Sequence, residues 1–242
     1  MILTAHQPVY LPWLGLFHKI ALADEFCIFD IVQYQTKDWN NRNRIKTPNG
    51  VIWLSVPVES KNHFEKSVGD IRIVKNGWNR KHFKSIDLAY RKAPFYTDYI
   101  GRVEAILMAD EFETLADLNR AFLEFGLEAF GIERPIHVAS EKDFEGKKSD
   151  LVLDMAQKLG ADCYIFGEQG RNYADLAAFQ RAGIQVFFQE YEHPEYSQLH
   201  GDFVPGMCFL DLLFNVGAGA FEVMMRGNTT RQEILQFSRR GQ

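Results

Sequence analysis

Three groups of residues in this chain combine types suited to binding phosphate or carboxylate with types suited to proton transfer. The first is His6-Gln7 with Tyr10, Pro12, Trp13, Gly15 and Lys19. An imidazole titrates near neutrality, so His6 is a candidate proton-transfer group or anion donor. Lys19 reads equally as a ligand contact or as a solvated surface position. The second group is Asp30, Gln33, Tyr34, Trp39, Arg42, Asn43 and Lys46. Arg42 carries a planar fork that matches carboxylate or phosphate, Asn43 bonds in both directions, and the aromatic residues would fold such a loop over a ligand. A solvated basic loop is the plain alternative. The third is Gly167, Glu168, Gln169, Gly170 and Tyr173, where glycines allow close backbone approach and Glu168 is placed as a hydroxyl binder or general base. His193 opens a polar, aromatic stretch, HPEYSQ (193–198), for which a structural turn is an equal reading.

Each group follows an apolar run. Ile2, Leu3 and Ala5 precede His6, an amphipathic segment leads on to Phe26–Phe29, and Asp30 ends that run. Strand, loop, helix and strand in this order predict a right-handed βαβ crossover, with His6, Gln7 and Asp30 at the carboxyl ends where ligands of parallel sheets sit. The polar segment Ile31 to Gly50 is far longer than a usual connection, which marks it as functional. Val51 to Val58 and Ile71 to Val74 read as strands of a small β insertion. Helical periodicity predicts helices from Trp78, from Phe95 to Met108, and from Thr114 to Phe130, the last with Thr114 and Asp117 as a cap and Gly131 as a stop. Alternation then returns: strand Ile136–Ser140, helix Ser149–Leu159, strand Cys163–Phe166, helix Tyr173–Arg181, strand Ile184–Tyr191 and helix Phe209–Val216. The expected class is α/β with a parallel, Rossmann-like, nucleotidylyltransferase-like sheet, a small β insertion at about 31–75 and a helical section at about 78–131. One domain is expected over 1–228, with a polar tail, loosely attached or frayed, over 229–242.

At 242 residues and a formal net charge of −5, the chain has no broad basic surface for nucleic acid or anionic membranes. Against that acidic whole, Lys37, Arg42, Arg44 and Lys46 cluster around Trp39. No apolar run approaches the ~18 residues of a membrane span. The start, MILTAHQ, has no basic n-region, so a cytoplasmic protein without membrane insertion is expected. Cys27, Cys163 and Cys208 lie far apart and read as buried thiols. His63, His82 and His137 are scattered and read as structural, with His82 beside Trp78 the one that would face a site. No G-x-S-x-G, P-loop, G-x-G-x-x-G, H-E-x-x-H or C-x-x-C pattern is present, no dedicated metal site is visible, and the sequence names neither a cofactor nor an oligomeric state.

The segments HQPVYLPWLGLFHKIALAD (6–24), DIVQYQTKDWNNRNRIKTPNGVIWLSVPV (30–58), YIFGEQGRNY (164–173), HPEYSQ (193–198) and FLDLLFNVG (209–217) together resemble the WbqC-like family of bacterial proteins. Tyr196, Gln198, Asp211 and Asn215 match the family's motifs beside the residues already named. The resemblance implies a place in O-antigen and other surface-polysaccharide biosynthesis, with transfer of a glycyl or other acyl group to a sugar. On that reading the substrate is a small phosphorylated molecule or sugar nucleotide. His6 is its base or anion contact, Arg42 and Lys46 hold the charge, and Asp30 and Glu168 orient the substrate. A second likeness is to the layout of nucleotidylyltransferases that carry H-x-G-H at this helix start, although Leu14-Gly15-Leu16-Phe17 stand here instead. Nucleotidyl transfer or ATP-dependent activation is therefore one alternative, and a non-catalytic sugar-nucleotide-binding or scaffold protein another.

Overall fold

The structure is a computed structural model and describes residues 1–59, 63–109 and 111–240. Parts of the expected insertion (60–62), the expected helical section (110) and the tail (241–242) lie outside these. Five parallel strands, β1 (Ile2–His6), β2 (Glu25–Ile28), β5 (Ile136–Val138), β6 (Cys163–Gly167) and β7 (Gln185–Gln189), form one sheet in the order β5-β2-β1-β6-β7. The chain builds outward from β1 through β2 to β5, then crosses back to β6 and β7. The direction of winding thus reverses between β1 and β6, the position where ligands of open α/β sheets bind.

Side chains alternate across this sheet as its pleat requires. Leu3, Ala5, Cys27, Phe29, Tyr164 and Phe166 pack with α5 (Ser149–Lys158) and α6 (Leu176–Arg181) on one face. Phe26 and Ile28 face α1 (Leu14–Leu22), α4 (Leu115–Ala129) and α7 (Phe209–Val216) on the other, and Ile2, Cys163 and Ile165 join Leu22 and Ile234 there. Both faces are covered, which is why the strands read as continuous apolar runs. α1 is buried along its whole length, including His18 and Lys19. Lys19 is therefore no solvated surface residue. The three cysteines are free and buried.

The segment expected as a long loop is partly a hairpin. β3 (Arg42–Thr47) pairs antiparallel with β4 (Gly50–Ser55) across the Pro48-Asn49 turn, where Gly50 takes φ 104° and the Thr47 hydroxyl accepts from Asn49 N at 3.2 Å. β3 escapes a hydrophobicity reading because four of its six residues are Arg, Asn or Lys. The expected Ile71–Val74 strand is reduced to isolated bridges, Ile73 to Val58 and Arg72 to Thr114.

The helical section contains α2 (Trp78–Tyr90), α3 (Tyr96–Met108) and α4, with Thr114 accepting from Asp117 N at 3.2 Å. Ahead of α6 the chain runs through a 3-10 turn (168–172), and α6 begins at Leu176 where a helix from Tyr173 was expected. A further short helix, α8 (Ala220–Met225), follows α7. The tail forms α9 (Arg231–Arg240), and it is docked: Arg231 donates to Leu22 O at 3.0 Å and pairs with Asp24, while Ile234 is fully buried. No helix of the described residues is long and apolar enough to cross a membrane.

Candidate functional site

His6 closes β1. Its Nδ1 lies 2.8 Å from Gln7 O, so Nδ1–H donates there and the acceptor lone pair resides on Nε2. The Trp13 ring stands edge-on at 5.2 Å. Burial, then the nearby Lys19 charge, lowers the imidazole pKa to about 3, which keeps His6 neutral. Lys19 lies in α1 behind it, 4% exposed, with Nζ donating to Ala5 O at 3.0 Å, and burial lowers its pKa to about 7.

The loop between β1 and α1 owes its path to asparagines of the second group. Asn43 donates to Leu11 O at 2.6 Å and Tyr10 O at 3.3 Å and accepts from Arg44 N at 2.7 Å. Asn40 donates to Pro8 O at 2.8 Å and Gln7 Oε1 at 3.2 Å. These bonds hold Leu11 at φ 45°, a left-handed conformation that a leucine does not take unaided. Asn43→Ala strands two buried carbonyls and one N–H at once. A loss of roughly 3 kcal/mol is expected, read as a thermal midpoint lower by roughly 6–12 °C; an unchanged midpoint would show that water takes over these bonds. Asn43, expected at the substrate, thus supports the loop from behind. Tyr10 is likewise buried, with its hydroxyl 2.9 Å from His82 Nδ1.

Beside this loop the β3–β4 hairpin presents Arg42, Arg44 and Lys46 on one face, opposite Ser55, Trp53 and Val51. Arg42 stacks on Trp53 at 4.5 Å, and Arg44 sits between Trp39 at 5.7 Å and Trp53 at 5.6 Å. Ring centroids run from Trp13 to Trp39 at 6.1 Å and on to Trp53 at 5.3 Å. Together these rings make an aromatic wall leading from His6 to the surface, with guanidinium groups laid against it. Arg44 donates from one terminal nitrogen to Gly206 O at 3.0 Å, while its Nε is buried with no partner among the described residues. Gly206 takes φ 73°, a conformation that favours glycine, and a Cβ there would also lie 2.6 Å from the guanidinium, which would have to shift. Burial, and then the Arg44 charge, lowers the His193 pKa from its ordinary value.

Lys46 Nζ instead donates to Gln198 Oε1 at 3.2 Å, Gly201 O at 3.1 Å and Asp202 O at 2.5 Å. Among the described residues, none of Lys19, Arg42, Arg44 and Lys46 is ion-paired with a carboxylate.

Other residues expected here have their groups engaged elsewhere. Both Asp30 oxygens accept from Ser140, from N at 2.9 Å and Oγ at 2.6 Å, and so tie the end of β2 to the end of β5. Gln33 and Tyr34 are stitched to the 64–67 segment. Gly167 ends β6, and Glu168 is exposed in the turn after it. Gly170 is fixed by Phe166, and Tyr173 lies edge-on to that same ring, on the α6 side of the sheet. Tyr196, Gln198, Asp211 and Asn215 form one internal network: Asp211 accepts from the Tyr90 and Tyr196 hydroxyls at 2.8 Å, and Asn215 holds Leu199 N at 3.1 Å.

The sequence reading placed Arg44 in the basic cluster around Trp39 but not among the site residues, and it did not single out Trp53 or Tyr191. Tyr191 lies against the open side of Gly15, where a Cβ would come within 3.0 Å of its ring. The signal for Arg44 and Trp53 was strand alternation, which puts both on the face of Arg42. No group of three or more His, Cys, Asp or Glu side chains among the described residues is placed to hold a metal ion.

The WbqC-like protein family matches residues 7–223. The uncharacterized protein Rv1507c of Mycobacterium tuberculosis (strain ATCC 25618 / H37Rv) is 34% identical over 215 residues, which covers 88% of this chain and 93% of that protein. No solved structure matches the chain. A match running from the loop after β1 into α8 leaves only the two ends of the chain outside it: the chain belongs to the WbqC-like protein family.

Proposed function

We propose that this protein is a group-transfer enzyme of bacterial surface-polysaccharide biosynthesis, which moves an acyl or aminoacyl group onto a sugar. Its phosphorylated or sugar-nucleotide substrate sets its anionic part against Arg44 and Arg42 and lays a ring on Trp13 and Trp39. The observation that carries this reading is the concentration of cations without carboxylate partners beside a tryptophan wall at the end of β1, in a chain whose net charge is −5. Elsewhere the same chain pairs its charges, as in Arg120–Glu124 and Lys158–Asp154. A buried guanidinium Nε with no partner is a donor awaiting an oxyanion. Tryptophan faces suit sugar and base rings alike.

The experiment is a thermal-shift screen of the full chain with inorganic phosphate, nucleoside diphosphates, nucleoside diphosphate sugars and an acetyl thioester. A ligand at 100 times its Kd stabilises the folded state by about 2.7 kcal/mol, a shift of roughly 5–10 °C. The anionic sugar compounds are expected to raise the midpoint, and Arg44→Ala is expected to abolish the shift. A screen in which no anion moves the midpoint removes the reading, and a ligand that binds with no group transferred leaves a binding protein in its place.

A further inference from the structure

Lys19 and Lys46 are equally buried, each 4% exposed, and the fold treats them in opposite ways. Lys46 has three oxygen acceptors, one for each N–H of an ammonium. Among the described residues, Lys19 has the Ala5 carbonyl alone. Its neighbours bring no negative charge: β1 supplies that carbonyl and the neutral His6 ring, and its own helix supplies His18. Both His18 nitrogens are taken, Nδ1 by the Gln189 amide of β7 at 2.7 Å and Nε2 by Thr229 O at 2.9 Å. A backbone carbonyl accepts from an amine as readily as from an ammonium, so nothing here holds the proton on Nζ. With one N–H spent on Ala5 O, the lone pair of the neutral amine is free.

His6 is unsuited to the role of base. Its proton sits on Nδ1 and points at Gln7 O, and a ring that gains its second proton only near pH 3 accepts none at neutrality. What it offers is an uncharged acceptor at Nε2.

We propose that Lys19 is the base of the transfer step and that His6 orients the acceptor through Nε2. The assignment rests on the group-transfer reading above and deepens it. The acceptor's hydroxyl or amino group gives its proton to Lys19 Nζ as its oxygen or nitrogen bonds to the carbonyl carbon of an activated acyl donor, a thioester or acyl phosphate. The bond from that carbon to sulfur or phosphate oxygen breaks, and the leaving group departs with the electron pair. The Lys19 ammonium then passes the proton to it.

The test is competitive labelling of the folded full chain with trace acetic anhydride across pH, each lysine being read by mass spectrometry and Lys46 in the same samples. Lys19 is expected to label with a midpoint near pH 7, against about 10.4 for an ordinary lysine. A midpoint in the ordinary range overturns the proposal. So does a Lys19 that stays unlabelled at every pH, because an amine that no acyl group reaches performs no transfer. The labelling is repeated with UDP-glucose bound as the probe. Binding that protects Lys19 supports the role. Binding that leaves Lys19 labelling unchanged sinks the base while the anion site stands, and absence of binding by this and every other anion of the screen sinks the site itself.

Discussion

Acidification from pH 7 to pH 5 is expected to remove roughly 4 kcal/mol of stability through two buried histidines alone. His18 lies between Gln189 and Thr229, His82 is bonded to the Tyr10 hydroxyl, and burial brings each pKa to about 4. In the unfolded chain each returns to about 6.5. Between those values the unfolded state binds more protons than the folded one, so stability is present above pH 6.5 and is lost as the pH falls toward 4. Each imidazole accounts for roughly 2 kcal/mol by pH 5, and His6 adds to the loss in the same direction. The consequence is local as well as global, because His18 ties α1 to both β7 and the approach to α9. Thermal melts at pH 7 and pH 5 measure the effect, and His18→Gln is expected to flatten the dependence. Equal midpoints at the two pH values would mean that these rings are not held neutral.

Much of the scaffold was legible because parallel strands covered on both faces must be apolar throughout. Ile2–Ala5, Phe26–Phe29 and Cys163–Phe166 announced three strands of the sheet within a residue or so of their ends. Thr114 with Asp117 and the stop at Gly131 were equally plain, since capping and helix termination are written in local residue types. β3 was hidden for the opposite reason. One face carries the cations Arg42, Arg44 and Lys46 and the other carries Asn43, so neither polarity nor propensity reported a strand. Its pairing with β4 comes from the turn and from the Asn43 bonds to Tyr10 and Leu11, which are tertiary facts.

The candidate site was legible in location more than in roles. Placing His6, Trp13, Trp39 and Arg42 near the end of β1 followed from strand order. Separating residues that meet a ligand from residues that hold the loop did not, because asparagine, tyrosine and glutamine serve both ends. Tyr10, Asn43, Tyr196, Gln198 and Asp211 are internal hydrogen-bonding partners of one another, of His82 or of the backbone. Motif density here reports a demanding piece of architecture as much as chemistry: a strained proline loop and a buried carboxylate both require dedicated side chains. Lys19 is the reverse case. A lysine in an amphipathic stretch reads equally as surface or as a ligand contact, and it is the complete burial of α1 that turns it into a group with unusual proton affinity.

Lys19→Met is accordingly expected to raise stability. A lysine whose pKa stands at about 7 in the folded state and about 10.5 in the unfolded chain makes the unfolded state the stronger proton binder between those values. Stability therefore rises with pH across that window, and at pH 7 the protein forgoes about 4 kcal/mol relative to an ordinary lysine. Methionine fills a similar volume with an apolar, adaptable chain. It leaves the Ala5 carbonyl without its Nζ partner, which offsets about 1–2 kcal/mol of the gain. The net expectation is about 2–3 kcal/mol of stabilisation at pH 7, several degrees in the thermal midpoint, shrinking toward zero at pH 10, where the wild-type amine is neutral in the folded state and the cost of holding it so has fallen below about 1 kcal/mol. A variant no more stable than wild type at pH 7, or one whose advantage persists unchanged at pH 10, would show that Lys19 is accommodated as an ordinary ammonium. A stabilising replacement has a functional implication as well. Natural chains retain costly buried charges where chemistry needs them, and this one stands beside the neutral His6 at the point where the sheet reverses its winding.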